Sequence, residues 1–430
     1  MAHRQAASVS ILRRNITTSG HLSFIPTLLG MMLFAEFFLP RFALHLGQRE
    51  LSIAAIVTFG CVAMLVLVGG LRPDPTRAGL FCLAMASMMV SVLLNGGGVT
   101  TRVSAPSFLL LVCMYMAYVF VIPDGEATFD ATLALFRRFA LIVTIAGICQ
   151  FAAQFAVPGP TLFTFADYLP DAILTQNFND VIPVPGAEEL NKSNGFFLLE
   201  PSHFSQLVGL ALVAEMAFFR PSWRLAVLGL GLLLSYSGTG LVICAVFVPL
   251  LLVHRGYGRL VLVSLASAFA LLVFADLLYL TSMFERLNEF GSEQSSAFAR
   301  FLSPFYLFND FVFPQAQTTL FGLGPGSIEP YFRSEDYAVH DPTWGKVFFE
   351  YGLVGTIPFM VFVCRCIFAG ARSYWLSAAL FFTYLLLGGN LLEPRMESLI
   401  LVLVVFQSTP RPAMRAAPAY HFQSFEPHRP

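Results

Sequence analysis

Charge is scarce in this chain. Charged residues make up 12% of its 430 positions and hydrophobic residues 57%, whereas soluble domains carry about 25% charge. That balance excludes an ordinary soluble fold. Lysine is nearly absent, confined to Lys192 and Lys346. With a net charge of −1 and no run of like charge, nothing in the chain is suited to a polyanion, so no nucleic-acid partner is expected. The seven cysteines (Cys61, Cys82, Cys113, Cys149, Cys244, Cys364, Cys366) all fall in or at the ends of apolar segments. A disulfide framework in the polar loops is therefore excluded, and Cys364 and Cys366 without histidine partners make a weak metal pattern. They read as small packing residues, and neither metal nor cofactor is expected. Residues 1–20 have no apolar core ahead of a small-residue cleavage site, so no cleavable signal peptide is expected.

What the chain does have is a series of apolar segments near the ~20 residues that cross a bilayer. They lie at 22–42, 51–71, 77–95, 104–122, 138–157, 202–219, 223–237, 239–254, 259–280, 346–369, 373–388 and 391–407. The fold class this predicts is all-α, a polytopic membrane helix bundle of about twelve transmembrane helices. One membrane domain, 21–407, is flanked by short polar tails at 1–20 and 408–430 that read as disordered. Cytoplasmic connections are enriched in Arg and Lys. Placing both termini in the cytoplasm puts sixteen of the 25 basic residues on that side, Arg72, Arg77, Arg137, Arg138, Arg255 and Arg259 among them. Two long loops, about 158–201 and 281–345, then lie together on the outer face.

Nine basic residues remain outside, including Arg41, Lys192, Arg286, Arg300, Lys346 and Arg395. Three helices entering from that face open with an acid and a proline: Glu200-Pro201, Asp341-Pro342 and Glu393-Pro394. Proline at a first helical position loses no hydrogen bond, and an acid there interacts favourably with the helix dipole. Two readings stand: three plain caps, or three carboxylates and three sets of free N–H groups presented to one outer cavity, where an anion could bind. The SYSGTG segment at 235–240 reads as a tight turn between two short helices, with Gly238 and Gly240 suited to it.

The long loop carries the candidate chemistry. Arg286 and Arg300 stand in FERLNEFGSEQSSAFARF; a guanidinium matches phosphate oxygens in a planar fork. They read as a clamp for a lipid-linked diphosphate, or as partners of Glu285, Glu289 and Glu293. His340 can accept a proton from a sugar hydroxyl or orient it, with Asp341 raising its pKa, or it can be structural. Lys192, in NKSNGFF, and His203 are further candidates. Gly322, Gly324 and Gly326 match no dinucleotide fingerprint and read as a turn that brings the loop back over the cavity.

Four stretches in this order, NKSNGFFLLEPSHFSQLVGLAL, LLLSYSGTGLVICAV, FGLGPGSIE and VHDPTWGKVFFEYGLVGTIPF, resemble the O-antigen ligase and Wzy-type polysaccharide polymerase superfamily of bacterial envelope proteins. The resemblance covers roughly 190–360 of the chain. It implies a metal-independent, inverting glycosyltransferase of the bacterial inner membrane that takes a glycan from undecaprenyl diphosphate on the periplasmic face, with membrane lipid around it and a flippase and chain-length regulator as possible partners. Arg286 and Arg300 match the family's basic residues upstream of the G-x-G turn, His340 matches its loop histidine, and Glu350 matches a position read as structural. The family's ligases usually show His-Asn at His340-Asp341 and Arg at Lys192, and the R-x10-G repeat of some polymerases is missing here. The E-P-S-H and V-H-D-P-T-W forms look more like polymerases of exopolysaccharide clusters than like lipopolysaccharide ligases.

The expected activity is thus polymerisation of undecaprenyl-diphosphate-linked repeat units into exopolysaccharide or O-antigen. Arg286, Arg300 and Lys192 are expected to hold diphosphate, His340 to act on the acceptor, and Asp341 or Glu200 to tune His340. A ligase that transfers the glycan to a lipid A-core or other acceptor is the alternative. A secondary transporter is the alternative of another class: Glu36, Glu215 and Asp276 fall within or near spans, as ionisable groups of transporters do, although the chain shows no repeat between its halves.

Overall fold

The structure, a computed structural model, describes residues 24–46, 49–96, 103–123, 125–157, 159–176, 178–184, 186–259, 296–332 and 337–408, with isolated positions between 260 and 273. Most of the expected ninth span, residues 1–23 and 409–430, Arg286 and Asp276 lie outside the described residues, and so do Arg102 and Arg333.

The fold is mostly helical. Among the described residues, three helices are long and apolar enough to cross a membrane: α3 (Pro75–Asn95), α5 (Gly125–Ala153, apolar from Thr128) and α12 (Thr343–Phe368). Shorter apolar helices surround them: α1 (Phe24–Phe38), α2 (Ile53–Leu67), α4 (Ala105–Met116), α7 (Trp223–Leu234), α8 (Gly238–His254) and α13 (Tyr374–Leu386). To these add α6 (Pro201–Phe218) and α14 (Pro394–Ile400), which runs on as a π-turn to Val405. The loop pieces α9 (Ser296–Phe301), α10 (Ser303–Leu307) and α11 (Ala316–Phe321) complete the described helices. Large apolar side chains stand exposed on the periphery, Leu67 at 82%, Leu93 at 74% and Val253 at 70%. That arrangement is costly in water and suits hydrocarbon.

Helix α12 packs along α3, and α6 along α8. The core between them is aromatic, with Phe37, Tyr115, Phe136, Phe204, Phe359 and Tyr384 fully buried. Gly240 lies against the Ser205 carbonyl, where any Cβ would collide. That corrects the turn reading of this glycine: the turn is Ser235–Ser237, Gly238 already begins α8, and Gly240 lets α8 approach α6.

Two further expectations need correction. The fifth span starts at Gly125 rather than 138, so Arg137 and Arg138 sit inside a helix instead of in a loop. The reason is tertiary: Glu215 of α6 accepts from Arg137 Nε at 2.7 Å and Nη2 at 2.9 Å, and the guanidinium lies over Phe219 at 3.4 Å. Nor is the chain wholly α. Short antiparallel pairs join 43–46 to 49–52, 72–73 to 120–121 and 183–184 to 187–191, because connections too short for helices satisfy their backbone groups by pairing.

Helix α12 is broken at Gly352, whose φ of 59° and ψ of −166° are not helical. The break orphans the carbonyls of Phe349 and Glu350, and the glycine-rich turn takes them up. Leu323 N–H donates to Phe349 O at 3.0 Å and Gly324 N–H to Glu350 O at 2.9 Å, while Ser91 Oγ of α3 adds a 2.8 Å bond to the latter. Gly322 sits so close to the Glu350 carbonyl that no side chain fits. The turn is therefore a strap across the break in α12.

Candidate functional site

The three acid-proline starts lie at one end of the bundle, and only one of them caps. Glu393 precedes α14 and accepts from the backbone and Nε of Arg395, at 3.4 and 2.7 Å. Glu200 makes no cap bond; its oxygens accept from Asn179 N–H at 3.3 Å and Ser202 Oγ at 2.9 Å. Asp341 lies two residues before the start of α12 and accepts from Lys346 Nζ, one turn into the helix, at 2.9 Å.

Arg395 ties two of these starts together. Its Nη1 donates to His203 Nδ1, on the first turn of α6, at 2.8 Å. A guanidinium can only donate, so Nδ1 carries no proton and His203 is the neutral Nε2–H tautomer. His203, Arg395 and Glu393, together with Glu36 of α1, Gln206 and Asn390, line a cavity of ≈ 50 Å³. It has room for a few waters and is too small for a sugar. Glu36 takes part from within the bundle: Oε1 accepts from Thr58 Oγ1 at 3.3 Å, and Oε2 is buried without a hydrogen-bond partner among the described residues.

The turn at 388–390 links this cavity to Asp341, since a Cβ on Gly389 would stand 2.5 Å from Asp341 Oδ1. On the other side of Asp341 is His340, with Nδ1 3.6 Å from Oδ1, beyond hydrogen-bond range. That nitrogen is buried and has no hydrogen-bond partner among the described residues, while 31% of the His340 side chain is exposed, so the accessible part of the ring is its other edge. Burial pushes the His340 pKa down to about 4; Asp341 opposes the shift, and the cations Arg300 and Lys346 add to it. The imidazole is neutral at physiological pH. Arg300, on α9, acts electrostatically on both His340 and His203, and Asp341 acts on Glu393. The cluster is continuous from His203 to Lys346.

Of the expected residues, then, His340, Asp341, Glu200 and Arg300 gather at one place, with Glu200 acting on Arg395 while Asp341 is the carboxylate against His340. Lys192 is buried in the NKSNG turn, its N–H bonded to Ile182 O at 2.9 Å. Gln150 of α5 pins that turn through Ser193, Asn194 and the Phe196 N–H. Arg286 lies outside the described residues. Sequence reasoning passed over Arg395, Lys346 and Glu36 as site residues. The signal for the first two was their survival on a face depleted of positive charge; that for Glu36 was an acid within an apolar span, which was read only for a transporter because its neighbours come from α2 and α14.

No protein-family model matches this sequence, and no curated protein matches it.

Proposed function

We propose that this protein is a membrane glycosyltransferase of about twelve spans, with both termini cytoplasmic, that polymerises undecaprenyl-diphosphate-linked oligosaccharide units at the outer face of the bacterial inner membrane. One observation carries the reading: two histidines, His203 and His340, stand in a cluster of charged side chains (Asp341, Lys346, Glu393, Arg395) where three helices begin at the end of an apolar bundle. In such a reaction a sugar hydroxyl oxygen attacks the anomeric carbon of the donor. The bond from that carbon to the diphosphate breaks, its electron pair stays on the diphosphate, and the hydroxyl proton leaves. Little acid-base power is needed, because the leaving group already bears stabilising charge; the protein must hold it and align the acceptor.

We assign the diphosphate to the two arginines of the long loop, Arg286 and Arg300. Asp341 and Glu393 already neutralise Lys346 and Arg395 at 2.9 and 2.7 Å, so those two cations serve position more than anion binding. The exposed edge of His340 would take the acceptor proton. An incoming diphosphate beside Arg300 would offset a cation that disfavours the imidazolium and strengthen the base when substrate arrives.

The transporter reading draws less support. Of the three acids it invokes, Glu215 is held by Arg137 and Arg224, Glu36 accepts from Thr58 Oγ1 at 3.3 Å and lies in the histidine cluster, and Asp276 lies outside the described residues.

The test is the length of glycan on undecaprenyl diphosphate in cells lacking the protein, complemented by wild type or by His340→Ala. Single repeat units that persist with the variant identify a polymerase that uses His340. Long chains stranded on the lipid identify a ligase instead, and an unchanged pool refutes both.

A further inference from the structure

A second, larger cavity of ≈ 350 Å³ opens in the 158–201 loop, among Arg41, Phe165, Asp171, Thr175, Phe178 and Asp180. Its size is at the lower end of the ~300–1,000 Å³ of small-molecule sites, and its walls carry hydroxyl, amide, carboxylate and guanidinium groups between two aromatic rings. Arg41 is a fixed part of the wall. It is 3% exposed, its Nη2 donates to Phe163 O at 2.8 Å, its Nη1 reaches Asp180 Oδ2 at 3.4 Å, and its guanidinium lies over Phe165 at 4.6 Å. The loop around it is braced: Asn194 Nδ2 donates to both Phe163 O and Asp180 O at 2.9 Å, and Thr175 Oγ1 to Pro40 O at 3.0 Å.

The cleft shares a wall with the histidine cluster. Phe178 lines it, and the same ring stands 6.1 Å from the His203 ring and 5.5 Å from the Arg395 guanidinium carbon. Leu199 faces the cleft while Leu198 faces the smaller cavity. Charge decides the class of occupant. Two carboxylates, Asp171 and Asp180, face one cation, Arg41, which disfavours a diphosphate or another anion. Hydroxyl-rich ligands have the donors and acceptors to meet carboxylate, hydroxyl and guanidinium groups, and a pyranose ring offers C–H faces to Phe165 and Phe178.

We propose that this cleft binds an uncharged mono- or disaccharide portion of the glycan and holds it one aromatic ring away from His203 and Arg395. The assignment rests on the glycosyltransferase reading for its purpose but not for its binding chemistry.

The test is saturation-transfer NMR on the full-length protein in lipid nanodiscs. The probes are neutral oligosaccharides released by mild acid from the lipid-linked pool of cells lacking the protein, with inorganic diphosphate as competitor. Wild type should transfer saturation to sugar ring protons, and diphosphate should not displace them. Asp171→Ala and Phe178→Leu should each weaken binding at least tenfold. Absence of transfer with wild type, binding that survives in whichever of the two cleft variants folds, or displacement by diphosphate would overturn the proposal. Saccharide binding with an unchanged lipid-linked pool would sink the glycosyltransferase and spare the cleft; a changed pool without saccharide binding would do the reverse.

Discussion

Replacing Lys346 with methionine should raise the pH at which His340 takes up a proton. In the wild type the imidazole has a pKa of about 4, held down first by burial and then by Arg300 and Lys346 against the pull of Asp341. The substitution deletes one opposing cation and frees a carboxylate that lies 2.9 Å from Lys346 Nζ and 3.6 Å from His340 Nδ1. Both changes favour the imidazolium. A unit pair near 4 Å interacts by about 4 kcal/mol at an effective dielectric of 20; since Asp341 already acts on the ring, we take a gain of roughly one to two pKa units. Where transfer needs the neutral ring, the acid limb of the pH–rate profile moves up by that amount.

The same shift predicts a stability difference that needs no substrate. The folded pKa of about 4 lies below the unfolded value of 6.5. Between these limits the unfolded chain binds more protons, so stability is complete above pH 6.5 and falls as the pH drops toward 4. The whole shift is worth about 3 kcal/mol, and roughly half of that after screening of a side chain that is 31% exposed. In Lys346→Met the window narrows from below. At pH 7 the variant is less stable by about 3–5 kcal/mol, because it strands Asp341, yet it loses less than the wild type on acidification to pH 5. Thermal unfolding in detergent at both pH values measures this. Equal acid sensitivity of the two proteins, with an unmoved acid limb, would refute the electrostatic account of His340.

Three other perturbations test the scaffold. Gly322→Ala should lower Tm by more than Gly69→Ala: both glycines have φ near +70°, but a Cβ at 322 meets the Glu350 carbonyl whereas at 69 it meets nothing. The control therefore costs only the ~1–3 kcal/mol of backbone strain, and equal losses would mean that the strap across α12 is not tight. Arg395→Met strands Glu393 and removes the donor to His203, for which a loss of about 3–5 kcal/mol is expected in denaturant titration; a loss under about 1 kcal/mol would place the pair in solvent. Tyr118→Phe takes one of two hydroxyl donors from Glu397 and should cost about 1–3 kcal/mol. An unchanged Tm there would show that the carboxylate does not depend on it.

How much of this could be read from the chain depends on how local each feature is. The helix starts at Pro201 and Pro394, and the one beside Pro342, were legible because proline and acid act within a single turn. The start of α5 was not, since adjacent arginines look like a cytoplasmic loop until Glu215 and Phe219, 78 and more residues away, arrive to pair and stack with Arg137. The short strands at 43–52 and 183–191 were hidden for the same reason: four or five residues carry no periodicity, and only the partner strand defines them. His340, Asp341 and Arg300 could be picked out as charged residues in a long polar loop, whereas Glu36 sits in an apolar run and acquires meaning only when Thr58 and Arg395 close around it.

The acid-proline starts also discriminate between the two readings that the sequence left open. A cap bond from an N-terminal acid is worth about 1 kcal/mol and needs no distant partner, so three plain caps would each hold their own helix. Only Glu393 does so, and it simultaneously grips Arg395. Helices α6 and α12 start without a side-chain cap, their acids turned instead to the Asn179 N–H and to Lys346. The local bond is forgone at two of three starts while the acids join a shared electrostatic cluster. Capping alone does not account for that pattern; assembly of a polar site where three helices begin does.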